Sequence, residues 1–481
     1  MTERPTGVGR GAASKGTGER VAIIGAGLAG CLLATLLARR GIEVTVYERR
    51  PDPRATGPER GRSINLAISA RGLEALDQVG LRELALSRAL PMHGRMVHSV
   101  AGEPGRSVGA GWPGKHGRSV GAGWPGKQSF RPYSADGAHA INSISRAELN
   151  LALLEAAAAT PGVALKFSAR LKDLDLGTGT LVFETGSGGT EEAKADIVLA
   201  SDGSYSVARR SVTFRPGFTF SQDYLEHGYK ELTIPARDGE FAMDPDALHI
   251  WPRGSSMMIA LPNLDRSFTC TLFWTGEEFA ALTSPSSVRA HFDAVYPDVT
   301  DLMPTLAEDF ALNPIGSLAT IRCWPWVHHG DGATLALVGD AAHAIVPFYG
   351  QGANCALEDC VEIDRCLALT GGSWTEALEL YQSRRKANCD AIADMALDNF
   401  TEMRDRVNSK TFQAVTAGRH FLERRLPGMY VSQYELVSFS TVPYAEIRGR
   451  MKRQDRATAV VAAGLLAGSL AGVRAALRRR A

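Results

Sequence analysis

Neither sign of charge predominates in this 481-residue chain, where 53 Lys and Arg face 52 Asp and Glu for a net charge of +1. With no global field to concentrate polyanions, nucleic acid is not an expected partner. Paired cysteines are missing too. The seven thiols (Cys31, Cys270, Cys323, Cys355, Cys360, Cys366 and Cys389) are odd in number and include no CxxC. That pattern argues against a disulfide framework or a metal site. It makes a reducing compartment the default and the thiols small buried hydrophobes. Residues 1–20 are rich in Gly, Thr and Arg without an apolar stretch, so they read as a disordered tail and not as a secretory signal. H-E-x-x-H is also absent, and the bare letter matches to G-x-S-x-G (GRSVG at Gly105 and Gly117) and S-x-x-K (Ser383 to Lys386) form no constellation that supports a hydrolase or zinc enzyme.

Charge is lacking throughout Ala457 to Val473 near the C-terminal end. Seventeen residues is the lower limit for a membrane span, and only three Leu and three Val lie inside. Basic residues flank both sides (Lys452, Arg453 and Arg456 before, Arg474 and Arg478 to Arg480 after), which opposes a single span under the positive-inside tendency. Gly464, Gly468 and Gly472 form a small-residue stripe that suits close helix packing as well as membrane dimerisation. The stretch reads as a soluble or interfacial helix, with a membrane anchor as the alternative. A cytoplasmic location is expected.

What is present is ordinary globular material, 44% hydrophobic and 22% charged, enough for two or three domains. Val21–Ile24 suits a buried strand, Leu28 to Arg40 a helix, and Glu43 to Tyr47 a second strand. Ala195 to Ala200 and Leu335 to Val338 repeat the buried-strand pattern far downstream, so the first domain is expected to be discontinuous. Its segments are 21–95, 138–212 and 326–372. Between them, strand candidates at Leu248 to Trp251, Ser256 to Leu261 and Phe268 to Phe273 are too closely spaced for parallel crossovers. They predict a separate antiparallel sheet formed by 96–137 and 213–325, placed to cover a site on the first domain. From Trp374 onward, 373–481 is helical in composition. The expected fold class is therefore α/β: a Rossmann-type dinucleotide-binding domain, an antiparallel-sheet domain and a C-terminal helical region.

One tandem repeat stands out: GRSVGAGWPGK at Gly105 to Lys115 recurs at Gly117 to Lys127. Two twelve-residue copies cannot stack as a solenoid. They read as an expanded surface loop, with a lid carrying Trp112 and Trp124 as the lesser alternative.

Gly25-Ala26-Gly27-Leu28-Ala29-Gly30 follows a strand and opens a helix. Gly25 permits the tight turn, Gly27 lets a pyrophosphate approach the backbone, and Gly30 allows close helix–strand packing. The helix N-terminus offers free N–H groups and partial positive charge to phosphate. Glu48, ending the second strand, stands where an acid binds ribose hydroxyls. Two further acid–glycine turns follow predicted strands, Asp202-Gly203 and Gly339-Asp340.

In that order, these motifs resemble the flavoprotein aromatic hydroxylases, which bind FAD in one Rossmann domain. No second GxGxxG has its own strand and acid, which fits hydroxylases that engage NADPH transiently. In the resemblance, Asp340 of Gly339-Asp340-Ala341-Ala342-His343 faces the ribityl chain, and Gly350-Gln351-Gly352-Ala353-Asn354 opens a helix beside the isoalloxazine. Trp324-Pro325-Trp326 lacks the flanks of a halogenase motif and reads as packing.

The likeness narrows at Gly61 to Ala67, His227 to Pro235, Leu248 to Arg253, Met257 to Pro262 and Phe268 to Phe273, which resemble the kynurenine 3-monooxygenases from about Val21 to beyond Phe439. The resemblance implies a substrate carboxylate held by Arg95 and Tyr133, with Asn399 and Tyr434 also in the pocket. It implies FAD contacts at Ala29, Tyr47, Glu48, Arg49, Arg50 and Ala67, and further ones at Arg146, Leu171, Asp202, Asp340, Ala353 and Asn354, beside Gly25, Gly27 and Gly30. Arg146 has its own rationale as a cation near the pyrophosphate, although Ser145 and Glu148 around it read as a capping box. The implied reaction is NADPH-dependent 3-hydroxylation of L-kynurenine by dioxygen through a flavin hydroperoxide, in tryptophan catabolism or NAD precursor synthesis, with no catalytic side chain and no metal. Another aniline-type aromatic acid remains an alternative substrate, and a non-catalytic FAD-binding or membrane-scaffold protein is the alternative from another class. Removing both repeat copies would bring Arg95 and Tyr133 to the short separation the resemblance leads one to expect.

Overall fold

The computed structural model describes residues 18–56, 65–99, 128–134, 137, 139–402 and 430–458. The duplicated segment, the stretch 459–473 and most of the N-terminal tail lie outside the described residues.

Val21–Ile24 is the middle of a six-stranded sheet. Ile197–Ala200 pairs parallel on one side and Val44–Tyr47 on the other, both in register from Val21. Val163–Lys166 and Thr334–Leu337 extend the sheet, again parallel, and Val327–His329 closes one edge antiparallel. The central strands VAII and IVLA are buried at every position, as a parallel sheet covered on both faces requires. Helix Leu28–Arg39 is buried from Leu28 to Ala38 and packs against helices Arg146–Ala159 and Gly352–Leu369. The chain thus leaves and re-enters one sheet, as the scattered apolar runs predict.

The second sheet has seven strands, in the order Gly316–Trp324, Thr219–Ile234, Phe268–Thr275, Ser256–Pro262, Ala247–Arg253, Gly94–His98, Gln128–Pro132. Its side chains alternate between two cores. Ile250, Met257 and Phe273 join the nucleotide-domain core. Their neighbours Trp251, Met258 and Trp274 join a separate cluster with Phe292 and Tyr296. This period of two lets one face lie on the first domain while the other is closed by helices Pro285–Val295 and Leu306–Leu312.

Two expectations about this sheet change. It is not wholly antiparallel, because Ala247–Arg253 pairs parallel with Gly94–His98, a partner distant enough in sequence to permit it. A boundary between 95 and 96 would also cut the strand Gly94–His98 in two. All five of its residues pair with Gln128–Pro132, so the strand belongs to the covering sheet from Gly94. Two smaller three-stranded sheets were not anticipated: Ala169–Asp175 with Thr180–Thr185 and Thr190–Lys194, and Asn65–Ile68 with Ile141–Ser145 and Leu90–Met92. Helix Trp374–Thr401 begins where the helical composition begins.

Candidate active site

The first turn is built by three glycines with separable duties. Gly25 has φ +100°, and a Cβ there would stand 2.7 Å from the Ser201 carbonyl oxygen. A Cβ on Gly30 would meet the Gly25 carbonyl oxygen at 1.9 Å, so only glycine lets the helix sit this close to the turn. A Cβ on Gly27 would meet nothing within 4 Å. The space above the helix N-terminus is open where a pyrophosphate has to approach.

Glu48 is buried, and its carboxylate closes this turn. Oε2 accepts the Ala26 N–H at 2.9 Å, while Oε1 accepts from the backbone and the Nε of Arg50. Burial alone would raise its pKa, but the Arg50 and Ala26 bonds outweigh it and hold the carboxyl below its ordinary value. Glu48 therefore stays an anionic acceptor. Tyr47 stacks on Phe183 at 4.2 Å. Arg49 and Arg50 are exposed at the rim, as is Arg146 at the start of its helix, where the Ser145 hydroxyl accepts the Glu148 N–H. Leu171 is core, so only its backbone can face a ligand. Ala29 is buried, and its carbonyl accepts from Cys360 Sγ.

Asp202 behaves differently from a simple turn residue. Its Oδ2 accepts the N–H groups of Val207 and Ala208, while Oδ1 is buried with no hydrogen-bond partner. Burial raises its pKa. Such an orphaned oxygen is costly unless a ligand donates to it. Asp340, half-buried, opens the short helix Asp340–His343. Behind it, His343 Nε2 meets Asp359 Oδ2 at 2.6 Å, and the same oxygen accepts the Gly339 N–H at 3.0 Å. Burial opposes charge on His343, but Asp359 outweighs it and lifts the imidazole to about 9.

The third motif is held together by Asn354. Its Oδ1 accepts the Ser69 N–H, and its Nδ2 donates to the carbonyls of Ala67 and Gly350. Asn354 is fully buried, so its side chain fixes the turn and leaves ligand contact to backbone N–H groups of Gly352–Leu369, near half-buried Ala353. Trp326 packs against His343 and Tyr381, as the packing reading of its motif expects.

Arg95, Tyr133 and Tyr434 come together although 38 and 339 residues of chain separate Arg95 from them. The Arg95 guanidinium lies 4.4 Å from the Tyr434 ring centre and 5.8 Å from that of Tyr133, and the two rings stack at 4.9 Å. Arg95 pairs with Arg131 across the hairpin, and Tyr133 donates its N–H to the His93 carbonyl. Arg95 Nε and the Tyr133 hydroxyl are buried without a hydrogen-bond partner. Burial pushes the Tyr133 phenol well above its ordinary value, so it stays a neutral donor. Asn399 takes another position: its Nδ2 donates to the Phe348 carbonyl at 2.6 Å. It thereby fastens the Pro347–Tyr349 turn, whose Tyr349 stacks on Tyr434 at 5.7 Å.

Sequence reasoning missed several residues. Asn150 donates to the Ala26 carbonyl, and the Ser201 hydroxyl donates to those of Ile24 and Gly25. Both hold the phosphate turn from elements distant in sequence. Ser201 directly precedes Asp202-Gly203, which was a usable signal. Phe439 and Tyr349, completing the aromatic box around Tyr133 and Tyr434, carried none.

A family model described as an FAD binding domain matches residues 19–396. Among solved structures, the tetrameric form of 2-methyl-3-hydroxypyridine-5-carboxylic acid oxygenase is similar in fold, with TM-score 0.62 over 82% of this chain and 94% of that one at 21% identity. Fold and phosphate turn together define a Rossmann-type FAD-binding protein, and its curated relatives make it an FAD-dependent monooxygenase. The curated relatives are more particular. Kynurenine 3-monooxygenase of Myxococcus xanthus is 46% identical over 89% of this chain and 87% of its own length. That of Salinispora tropica is 42% identical over 96% and 98%, and that of Sus scrofa 36% over 91% and 87%. The chain belongs to the kynurenine 3-monooxygenase family.

Proposed function

We infer that this protein hydroxylates L-kynurenine at ring position 3, consuming NADPH and dioxygen with FAD as its resident cofactor. The observation that carries the substrate half is the buried pair of unpartnered donors, Arg95 Nε and the Tyr133 hydroxyl, inside an aromatic box. A guanidinium fork and a neutral phenol suit the α-carboxylate of an aromatic amino acid.

Bound FAD supplies the activation of dioxygen, and the substrate's aniline nitrogen enriches the adjacent ring carbon. The chain's own work is binding, orientation and exclusion of water. Gly25, Gly27 and Gly30 would cradle the pyrophosphate, with Ala29 and Arg146 beside it, and Glu48, with Arg49 and Arg50 at the rim, would bind the ribose end. Asp202 Oδ1, buried without a partner, would accept from the cofactor. Asp340 would hold the ribityl chain, and the backbone at Ala353 and Asn354 would offer the ring system a helix N-terminus, whose partial positive charge favours negative charge there. Ala67, bonded through its carbonyl to Asn354, lines the same turn. Arg95 and the Tyr133 hydroxyl fix the amino-acid end, Tyr434 stacks beside them, and Asn399 positions the Pro347–Tyr349 turn between cofactor and substrate. The inner face of the seven-stranded sheet keeps this space dry.

The test is NADPH oxidation by FAD-loaded protein, with and without L-kynurenine, and identification of the product. Stimulation with formation of 3-hydroxykynurenine is expected. Stimulation by another aminoaryl acid alone would overturn the substrate and leave the chemistry. Among the described residues no helix is long and apolar enough to cross a membrane. We propose that 457–473 does not anchor the chain across a membrane; retention of the full chain in the membrane pellet after an alkaline carbonate wash without detergent would reject this.

A further inference from the structure

Behind the flavin-facing turn, two helices bring a pair of thiols into contact. Cys355 lies in the first turn of Gly352–Leu369, directly after Asn354, and Cys389 lies in the helix Trp374–Thr401 that ends beyond Asn399. Their sulfur atoms are 3.6 Å apart and both residues are fully buried. The Arg385 guanidinium stands against them: Nη2 is 3.1 Å from Cys355 Sγ, Nε is 2.7 Å from Asp359, and Nη1 is 2.5 Å from Glu358.

His343, Cys355, Asp359 and Cys389 offer atoms within 4.8 Å of one another, a donor set zinc could use. The surroundings oppose an ion. Arg385 places a fixed cation on Cys355 and Asp359, and Asp359 Oδ2 is already shared by His343 and the Gly339 N–H. The same positive charge that repels a metal favours a thiolate. The Cys389 contact, followed by Arg385 and His343, holds the Cys355 thiol below its ordinary value, whereas burial holds Cys389 above it. A cavity of about 340 Å³, lined by Arg71, Glu358, Arg384, Arg385 and Asn388, reaches the far side of Arg385. Arg385 thus lines this cavity on one side and touches Cys355 Sγ on the other.

We propose that Cys355 and Cys389 form a peroxide-oxidisable dithiol, a covalent redox site set between the helix of Asn354 and the helix of Asn399. The Cys355 thiolate attacks hydrogen peroxide; an S–O bond forms, the O–O bond breaks, and hydroxide leaves to become water. The Cys389 sulfur then attacks the Cys355 sulfenic acid. An S–S bond forms, the S–O bond breaks, and a second water leaves with the Cys389 proton. Two thiols are oxidised and one peroxide is reduced. Peroxide is what a flavin oxygenase releases when dioxygen is reduced without hydroxylation; the inference rests on the proposed function for that source alone.

Full-length FAD-loaded protein is treated with hydrogen peroxide, denatured, titrated for free thiols and mapped by mass spectrometry without reduction. Free thiols are expected to fall from seven to five, with Cys355 and Cys389 joined in one peptide pair that dithiothreitol separates. In Cys389→Ala the reaction stops at a Cys355 sulfenic acid, captured by dimedone. Seven surviving thiols, oxidation centred on another cysteine, or one zinc per chain in the purified protein overturns the proposal. Should Cys389→Ala fail to hold FAD, the wild-type peptide map decides alone. Because peroxide is added, the outcome is independent of whether kynurenine is the substrate.

Discussion

Arg95 and His343 show how a neighbour sets what one side chain can do. The guanidinium keeps its charge in any site, and its Nε is left unpartnered among tyrosine rings. Arg95→Ala is expected to cost about 3 kcal/mol of kynurenine binding, roughly a hundredfold in KM, with FAD content unchanged; loss of FAD would move Arg95 to the cofactor site. At His343 the folded pKa, about 9, exceeds the unfolded value of about 6.5. Its stabilisation is complete below about pH 6.5 and is lost as pH rises through 9, on the order of 3 kcal/mol in all. His249 has the opposite sign: burial and then His98 push it down to about 3, so stability is lost as pH falls from about 6.5. Urea midpoints of the FAD-loaded protein should peak near neutrality, and His343→Gln should flatten the alkaline limb while leaving the acid limb. An alkaline limb unchanged in that variant rejects the His343–Asp359 account.

At the scale of the element, the turn between Val21–Ile24 and Leu28–Arg39 separates folding from binding by glycine position. Gly27 has φ −77°, and its absent Cβ faces open space. Gly27→Ala should leave the fold within about 1 kcal/mol and lower FAD affinity at least tenfold by obstructing the phosphate approach. Gly30→Ala places a methyl 1.9 Å from the Gly25 carbonyl oxygen, so it should lower both folding stability and FAD content. Thermal unfolding and flavin absorbance measure the two effects; equal loss of stability in both variants would contradict the assignment. The sequence motif names both glycines without saying which one serves the fold, because that depends on what each missing methyl would touch.

Across the whole molecule, the chain enters and leaves the duplicated segment at one end of the hairpin formed by Gly94–His98 and Gln128–Pro132. His98 pairs with Gln128 and Gly94 with Pro132, so the long connection leaves from the far end of a hairpin while Arg95 and Tyr133 lie at its near end. His98 further pins that stem by stacking on Trp251 at 4.0 Å and bonding His249 at 2.9 Å. Deleting residues 105–116 should change kynurenine KM less than twofold and stabilise the fold by about 0.5 kcal/mol through the shorter closure. A larger rise in KM, measured beside the unaltered chain, would mean the segment reaches the pocket.

The local sequence determined the buried strands, the phosphate turn, the acid at Glu48 and the helical region from Trp374. Each is set by short-range periodicity and steric demand, legible within a few residues. The family-like stretches also pointed to Arg95, Tyr133 and Tyr434. The tertiary structure decided the rest. It set the parallel pairing of Gly94–His98, made Asn354 and Asn399 fasten turns, brought Asn150 and Ser201 to the phosphate turn, and put Cys355 against Cys389. These depend on contacts between segments tens to hundreds of residues apart. Sequence periodicity says which face of an element is apolar; only packing says which face it meets.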